Sequence, residues 1–219
     1  MQDFPEFINK DNTINTTGIF EKLFTAPKRA FAFIHSYKFE KHLLLIAMLT
    51  GVSSALSRAA EQNEGDTFPL WGVVLFSILI GCIFGYITLL FYSFVTNISG
   101  GWLKGTASTF DIMRVLTYSM VPSLIKLLMF AIKIAVFGNA LFSSGFYVDD
   151  FDVFSKVIYY GTSLVSLGVT IWSSVLFVLG LAEVQQFSLG KALLNILLPV
   201  VIMIAIGLVL FVVIDLFSH

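Results

Sequence analysis

Charge is what this chain has least of. Only 12% of its 219 residues are Asp, Glu, Lys or Arg, against about 25% in an ordinary soluble domain. Hydrophobic residues make up 57% and the mean hydropathy is +0.89, so there are too few polar side chains to coat a water-soluble core of this size. The formal net charge of -1 excludes the concentrated excess of Lys and Arg that a nucleic-acid surface needs. Cysteine is nearly absent as well. Cys82 stands alone, so no intrachain disulfide forms and the redox compartment cannot be read from it. Residues 1–17 lack the basic flank and apolar run of a cleavable signal peptide and carry Asp3, Glu6 and Asp11 instead, which leaves targeting to the first apolar span. His35, His42 and His219 are too scattered for a metal-ligand set, and no Ser, His and carboxylate group stands out. We expect no catalytic residue, no metal and no cofactor.

What is present is a series of long apolar runs. No charged residue occurs between Asp66 and Lys104, from Val157 to Ala182, or from Ala192 to Ile214. A helix of about 20 such residues crosses roughly 30 Å of hydrocarbon. The expected spans are 40–58, 69–96, 122–140, 157–181 and 191–216, making an all-α integral membrane protein of five transmembrane helices. The first is the weakest, with 16 uncharged residues between Lys41 and Arg58, among them Thr50, Ser53, Ser54 and Ser57. It depends on snorkelling ends and neighbouring helices.

Lys and Arg in short loops set the orientation. Lys10, Lys22, Lys28, Arg29, Lys38 and Lys41 precede the first span, Lys104 and Arg114 lie between the second and third, and Lys191 lies between the fourth and fifth. The opposite side has only Arg58 and Lys156, beside Glu61, Glu64, Asp66, Asp149, Asp150, Asp152 and Asp215. The amino terminus is expected in the cytoplasm and the carboxyl terminus outside. The sequons at Asn15 and Asn97 then face the cytoplasm and stay unmodified.

Three divisions follow: a polar tail over 1–17, an amphipathic segment over 18–40, and the membrane domain over 41–219. In the amphipathic segment Ile19, Phe20, Leu23 and Phe24 form one apolar stripe, and Ala30, Phe31, Phe33 and Ile34 continue it beyond Pro27. Pro27 divides it into two short helices, with Thr25 placed to cap the second. Two readings stand. Either the stripe lies on headgroups, with Lys22, Lys28 and Arg29 on anionic lipid and Phe20 and Phe24 inserted, or it packs against the membrane domain itself. Between spans two and three, Leu103, Ala107, Phe110 and Met113 recur at helical spacing opposite Lys104, Ser108, Asp111 and Arg114, which predicts an interfacial helix. Pro122 cannot donate to the carbonyl four residues back, so a break near Val121 starts span three.

Two lysines inside span three are the most unusual polar feature. Lys126 and Lys133 are seven residues apart and share a helix face, and an intramembrane charge costs at least ~2.5 kcal/mol and faces a partner or water. With Tyr118 and Pro122 they form the candidate polar site. Alternatively, Lys126 snorkels inward while Lys133 snorkels outward or pairs with Asp215 or the Asp149 group. That acidic group lacks the spacing and turn glycine of a calcium loop and reads as a solvated turn. Gly81 with Gly85, and Ala131 with Ala135, are small residues four apart, the spacing that lets helices pack closely in lipid.

The run from Phe20 to Ala55, the pair Gly100-Gly101, the stretch from Arg114 to Leu124 with Tyr118 and Pro122, and the passage from Gly180 to Leu193 with Ser188, Lys191 and Ala192 resemble the Yip1 domain family. The resemblance implies a five-span protein with a cytoplasmic amino terminus. For eukaryotic members it further implies early secretory and Golgi traffic, through prenylated small GTPases and membrane shaping. This chain lacks their acidic-leucine-x-glycine-proline motif before the first span, and Thr117 stands where a glycine commonly precedes the tyrosine. No GTPase-binding residue is carried over, and the short tail resembles bacterial members, placing the protein in a bacterial cytoplasmic membrane. The expected function is a non-enzymatic organiser that engages membrane lipids and other membrane proteins or a second copy of itself. The alternative is a small transporter or channel in which Lys126 and Lys133 serve an anion or an anionic lipid.

Overall fold

The computed structural model describes residues 4–8 and 14–218. Its helices, in chain order, are α1 (Thr16–Thr25), α2 (Pro27–Ser36), α3 (Leu43–Glu61), α4 (Leu70–Trp102), α5 (Thr109–Ser119), α6 (Ile125–Phe137), α7 (Val153–Gln185) and α8 (Leu189–Ser218). Among the described residues four stretches are long and apolar enough to cross a membrane: α3, α4, α7 and Val121–Phe142, which contains α6. Four of the five expected crossings are thus supported, and α8 contributes the described apolar stretch Leu189–Ile202.

The chain packs into two compact bodies. The first comprises Glu40–Leu90 and Leu116–Phe177. Its first span solves the problem of its own hydroxyls locally: Thr50 Oγ1 donates to Ile46 O at 2.9 Å, Ser54 Oγ to Thr50 O at 3.0 Å and Ser57 Oγ to Ser53 O at 3.1 Å. These bonds remove the need for water, which is why a helix with several hydroxyls can still lie in lipid. α3 and α4 cross at three glycines, with Cα of Gly85 2.6 Å from where a Cβ on Gly51 would sit. Gly81 and Gly85 therefore pack closely as expected, with Gly51 as their partner. Ala131 and Ala135 do not: both lie exposed on α6, because the buried side of this body is filled by the larger Val52, Leu56, Phe137, Leu141 and Phe142.

Span three breaks where the proline requires. Val121–Leu124 is a single 3-10 turn with Pro122 in its first positions, followed directly by α6. At the far end of α6, Asn139 Nδ2 donates to Gly65 O at 2.9 Å, and the amide of Ser144 donates to both carboxylate oxygens of Asp66 at 3.2 Å. Asp152 starts α7 as its cap, accepting from the amides of Phe154 at 3.0 Å and Ser155 at 3.3 Å. Among the described residues no group of three or more His, Cys, Asp or Glu is placed to hold a metal ion.

The second body comprises Phe91–Val115, the chain from Val178 onward and the segment before Glu40. Here the tail departs from the polar reading. Phe4 and Phe7 are buried, Phe4 edge-on and Phe7 tilted against the Phe33 ring at centroid distances of 5.7 and 4.7 Å, because α2 offers an aromatic face that would otherwise meet water. Asn15 caps α1 by accepting from the amide of Gly18 at 3.0 Å. Thr25 does not cap α2; its hydroxyl donates back to Glu21 O at 3.2 Å, and Pro27 begins that helix without a side-chain cap.

Of the two readings of the amphipathic stripe, burial follows the second for most of it. Ile19, Leu23, Ala30, Phe31, Phe33 and Ile34 are fully enclosed, while Phe24 is exposed and Phe20 is partly so. Part of the reason is Gly180, whose missing side chain admits the Phe31 ring.

The stripe expected before span three is corrected too. Leu103 and Ala107 precede α5, Phe110 is 54% exposed, and Arg114, placed on the polar side by periodicity, is only 7% exposed. Local pairing overrides periodicity here, because a carboxylate three residues earlier neutralises the arginine.

Candidate functional site

Three polar arrangements bear on the candidate residues, and two of them answer backbone groups that the helices leave unpaired. The first surrounds the start of α5. Ser108 and Asp111 form a reciprocal cap: the serine hydroxyl and amide donate to Asp111 Oδ2 at 2.6 and 3.1 Å, and the Asp111 amide donates to Ser108 Oγ at 3.2 Å. This is the capping-box geometry. The other carboxylate oxygen accepts from Arg114 at 2.8 Å and lies 3.4 Å from His35 Nδ1, close enough for attraction but outside hydrogen-bond geometry. Burial alone would raise the Asp111 pKa; the Ser108 hydroxyl and amide, His35 and Arg114 outweigh it and hold the carboxyl below its usual range.

The second arrangement joins α4, α7 and α8. Pro199 lies inside α8 and has no N–H, so it cannot bond the carbonyl of Asn195 four residues back. Ser99 on α4 stands against that carbonyl: its single hydroxyl proton is shared among Asn195 Oδ1 at 2.6 Å and the carbonyls of Asn195 and Thr96, each at 3.1 Å. Gln185, 1% exposed, accepts from the amide of Ala107 at 3.1 Å, and Asn97 Nδ2 donates to Ala107 O at 2.8 Å. Gly100 is required at this point because a Cβ there would overlap the Gln185 amide. The side-chain nitrogens of Gln185 and Asn195 have no acceptor among the described residues.

This arrangement makes a sharp prediction. Ser99→Ala removes the donor that Asn195 Oδ1 and the Asn195 carbonyl share and is expected to lower stability by about 1–3 kcal/mol. In a Pro199→Ala background the restored helical amide takes over the Asn195 carbonyl, so the same substitution should cost clearly less. A double-mutant cycle on thermal stability in detergent reads the difference; equal costs in both backgrounds would sink the account.

The third arrangement contains the sequence-derived candidates. Tyr118, completely buried, donates from its hydroxyl to Lys41 O at 2.6 Å, holding the chain just before α3. Pro122 is buried in the 3-10 turn. Lys133 is engaged on α7: its ammonium donates to Ser163 Oγ at 2.9 Å and sits 4.5 Å from the centre of the Tyr159 ring. Of the expected alternative partners, Asp149 lies 3.7 Å from Lys156 instead, and Asp215 falls outside the residues whose side chains are described. Lys126, half-buried in the first turn of α6, has no ion pair among the described residues. Tyr118 and Pro122 thus shape the start of the span, whereas Lys133 belongs to a separate contact. Of the membrane-surface candidates, Lys28 and Phe24 are exposed, Lys22 is partly exposed, and Arg29 pairs with Glu6 at 2.8 Å.

The sequence pattern missed Ser99, Gln185, Asn195 and Pro199 altogether. A proline deep in an apolar run was the available signal, since it announces a carbonyl in need of a donor. A sequence model of the family described as Yip1 domain matches residues 22–211. No curated protein and no solved structure matches the chain.

Proposed function

The chain belongs to the Yip1 domain family, and from that premise we propose that this multi-pass membrane protein is a non-enzymatic organiser of the bilayer, engaging lipids and other membrane proteins rather than turning over a substrate. The observation that carries the reading is the engagement of Lys133 by Ser163 and Tyr159. A lysine held by a hydroxyl and a ring on the neighbouring helix is a packing element, which removes one of the two charges a transport path would use. Lys126 lies close to the start of its span, where its apolar stem lets the ammonium reach the headgroups.

The second reading, a transporter or channel for an anion or anionic lipid, retains one supporting fact: Lys126 has no ion pair among the described residues. Lys126→Met separates the two. An organiser should keep its folded yield and gain slightly in stability, because an apolar chain of similar length relieves an intramembrane charge. Vesicles containing the intact protein should show no flux over a panel of anions and labelled lipids. Flux that disappears with Lys126→Met would establish the transport reading instead.

The topology belongs to the same proposal: the segment before α3 and α5 face the cytoplasm, α8 forms the fifth crossing, and the protein resides in a bacterial cytoplasmic membrane. Single cysteines at Thr13, Glu64, Thr106, Asp150 and Ser218 in a Cys82→Ser background are expected to react with an impermeant maleimide from outside only at 64, 150 and 218. A cysteine at 106 leaves the Ser108 cap on α5 intact. Outside reaction at 13 or 106 would reverse the orientation, and protection at 218 would leave four crossings.

A further inference from the structure

Beside the glycine crossing, α3 and α4 leave a groove of about 340 Å³, and we propose that it holds one acyl chain of a phospholipid whose phosphate is bound by Arg58. This rests on the reading of the protein as one that engages lipids, and it names the lipid class and the place.

The position of the groove across the membrane is the first argument. α3 has 19 residues and rises about 28 Å, roughly the hydrocarbon thickness. Arg58, in its last turn, stands at headgroup level, and Thr50 and Gly51 stand near the midplane. All three line the groove. On α4 the lining continues from Gly81, level with Gly51, past Gly85, level with Ala47, to Leu89, so the groove passes the midplane and runs for about 20 Å, the reach of one extended acyl chain.

The lining is the second argument. Small residues on α3, Gly51, Ser54 and Ala55, face Ile80, Phe84 and Leu89 on α4, and Met120 lies against them. The α3 hydroxyls in this wall, Thr50 and Ser54, donate to carbonyls of their own helix and so present no free donor to a hydrocarbon. Methionine adapts to chains of different shape.

Charge is the third argument. Arg58 is exposed at the mouth, forms no salt bridge among the described residues, and offers the fork geometry that grips phosphate. Glu61 and Glu64 lie outside the lining. A neutral lipid with the same chains would satisfy the groove but leave the guanidinium unanswered.

The test uses the full chain in maltoside micelles with a trace of phosphatidylglycerol carrying a diazirine near the end of one chain, and separately a diacylglycerol with the same chains. After illumination, phosphatidylglycerol should label the Gly85–Leu89 region and Met120, with Leu79 and Ile83 on the far face of α4 labelled weakly. Arg58→Gln should reduce groove labelling about tenfold, and Ala55→Trp should block it by filling the space. Should Ala55→Trp fail to fold, the exposed Arg58→Gln still decides the matter. Equal labelling by diacylglycerol, labelling indifferent to both variants, or a Ser54→Cys cross-link to a second copy showing the groove filled by protein would each overturn the proposal. If phospholipid co-purifies with the chain while groove labelling is absent, the groove proposal falls and the organiser reading stands. A chain that purifies free of phospholipid removes both.

Discussion

Gly51→Leu is expected to remove most folded protein from a detergent extract, and even Gly51→Ala should lower the thermal midpoint by roughly 5–10 °C. The first carbon added at Gly51 runs into the backbone of α4 at Gly81 and Gly85. Backbone cannot rotate out of the way as a flexible side chain does, so the two helices must separate, and separation uncovers the packing around Val52 and Leu56. Gly81→Ala should behave alike, since its added carbon meets the backbone of Gly51 and Val52. The control is on α7: Gly161 and Gly168 have nothing within 4 Å of an added Cβ, and Gly→Ala in an open helical site stabilises by about 0.5–1 kcal/mol. Fluorescence-detected size exclusion after a heat challenge compares them. Should Gly51→Ala be as harmless as Gly168→Ala, the close crossing of α3 and α4 is wrong.

Asp111→Ala should be comparably damaging. It takes one carboxylate partner from Arg114, only 7% exposed, a loss of about 1.5–3 kcal/mol for a hydrogen bond to a charged group, and it removes half of the cap on α5, worth about 0.5–2 kcal/mol. Asp111→Asn keeps the shape and part of the hydrogen bonding and should lose less, which keeps the idea testable if the alanine variant does not fold. The same carboxyl predicts a pH response. Its folded pKa lies below the ordinary value, so its stabilisation is fully present above the unfolded carboxylate range. It is lost as the pH falls through the depressed folded value. Thermal stability should therefore decline on acidification below the usual carboxylate range, and Asp111→Asn should flatten part of that decline. A parallel decline in both proteins would assign the acid sensitivity to other groups.

Asp111 also shows where reading the sequence stopped short. Ser108-x-x-Asp111 is a capping signature visible in the chain, and Arg114 follows at a spacing that allows pairing. Helical periodicity nevertheless placed all three on a wet face, because periodicity weighs each residue by its own polarity and takes no account of neutralisation by a neighbour. Gly51 was silent for a different reason. One glycine in a helix declares no partner, and its meaning depends on two glycines on another helix at a matching height. Pro199 announced a freed carbonyl, but its donor Ser99 lies 96 residues away in the chain, at a distance no local pattern bridges.

What the sequence determined by itself is the membrane character, the positions of α3, α4 and α7, the break at Pro122 and a helix between the second and third spans. These follow from local, additive quantities: the transfer of apolar side chains into hydrocarbon along some 20 consecutive residues, and a missing amide hydrogen at a proline. Tertiary structure alone decided that Lys133 meets Ser163 and Tyr159, that Tyr118 holds the carbonyl of Lys41, that Phe4 and Phe7 shelter under Phe33, and that a groove opens beside the three glycines. Each is a pairing between distant segments. Its existence depends on the register in which helices pack, and that register is set by the fit of many side chains at once rather than by the polarity of any one.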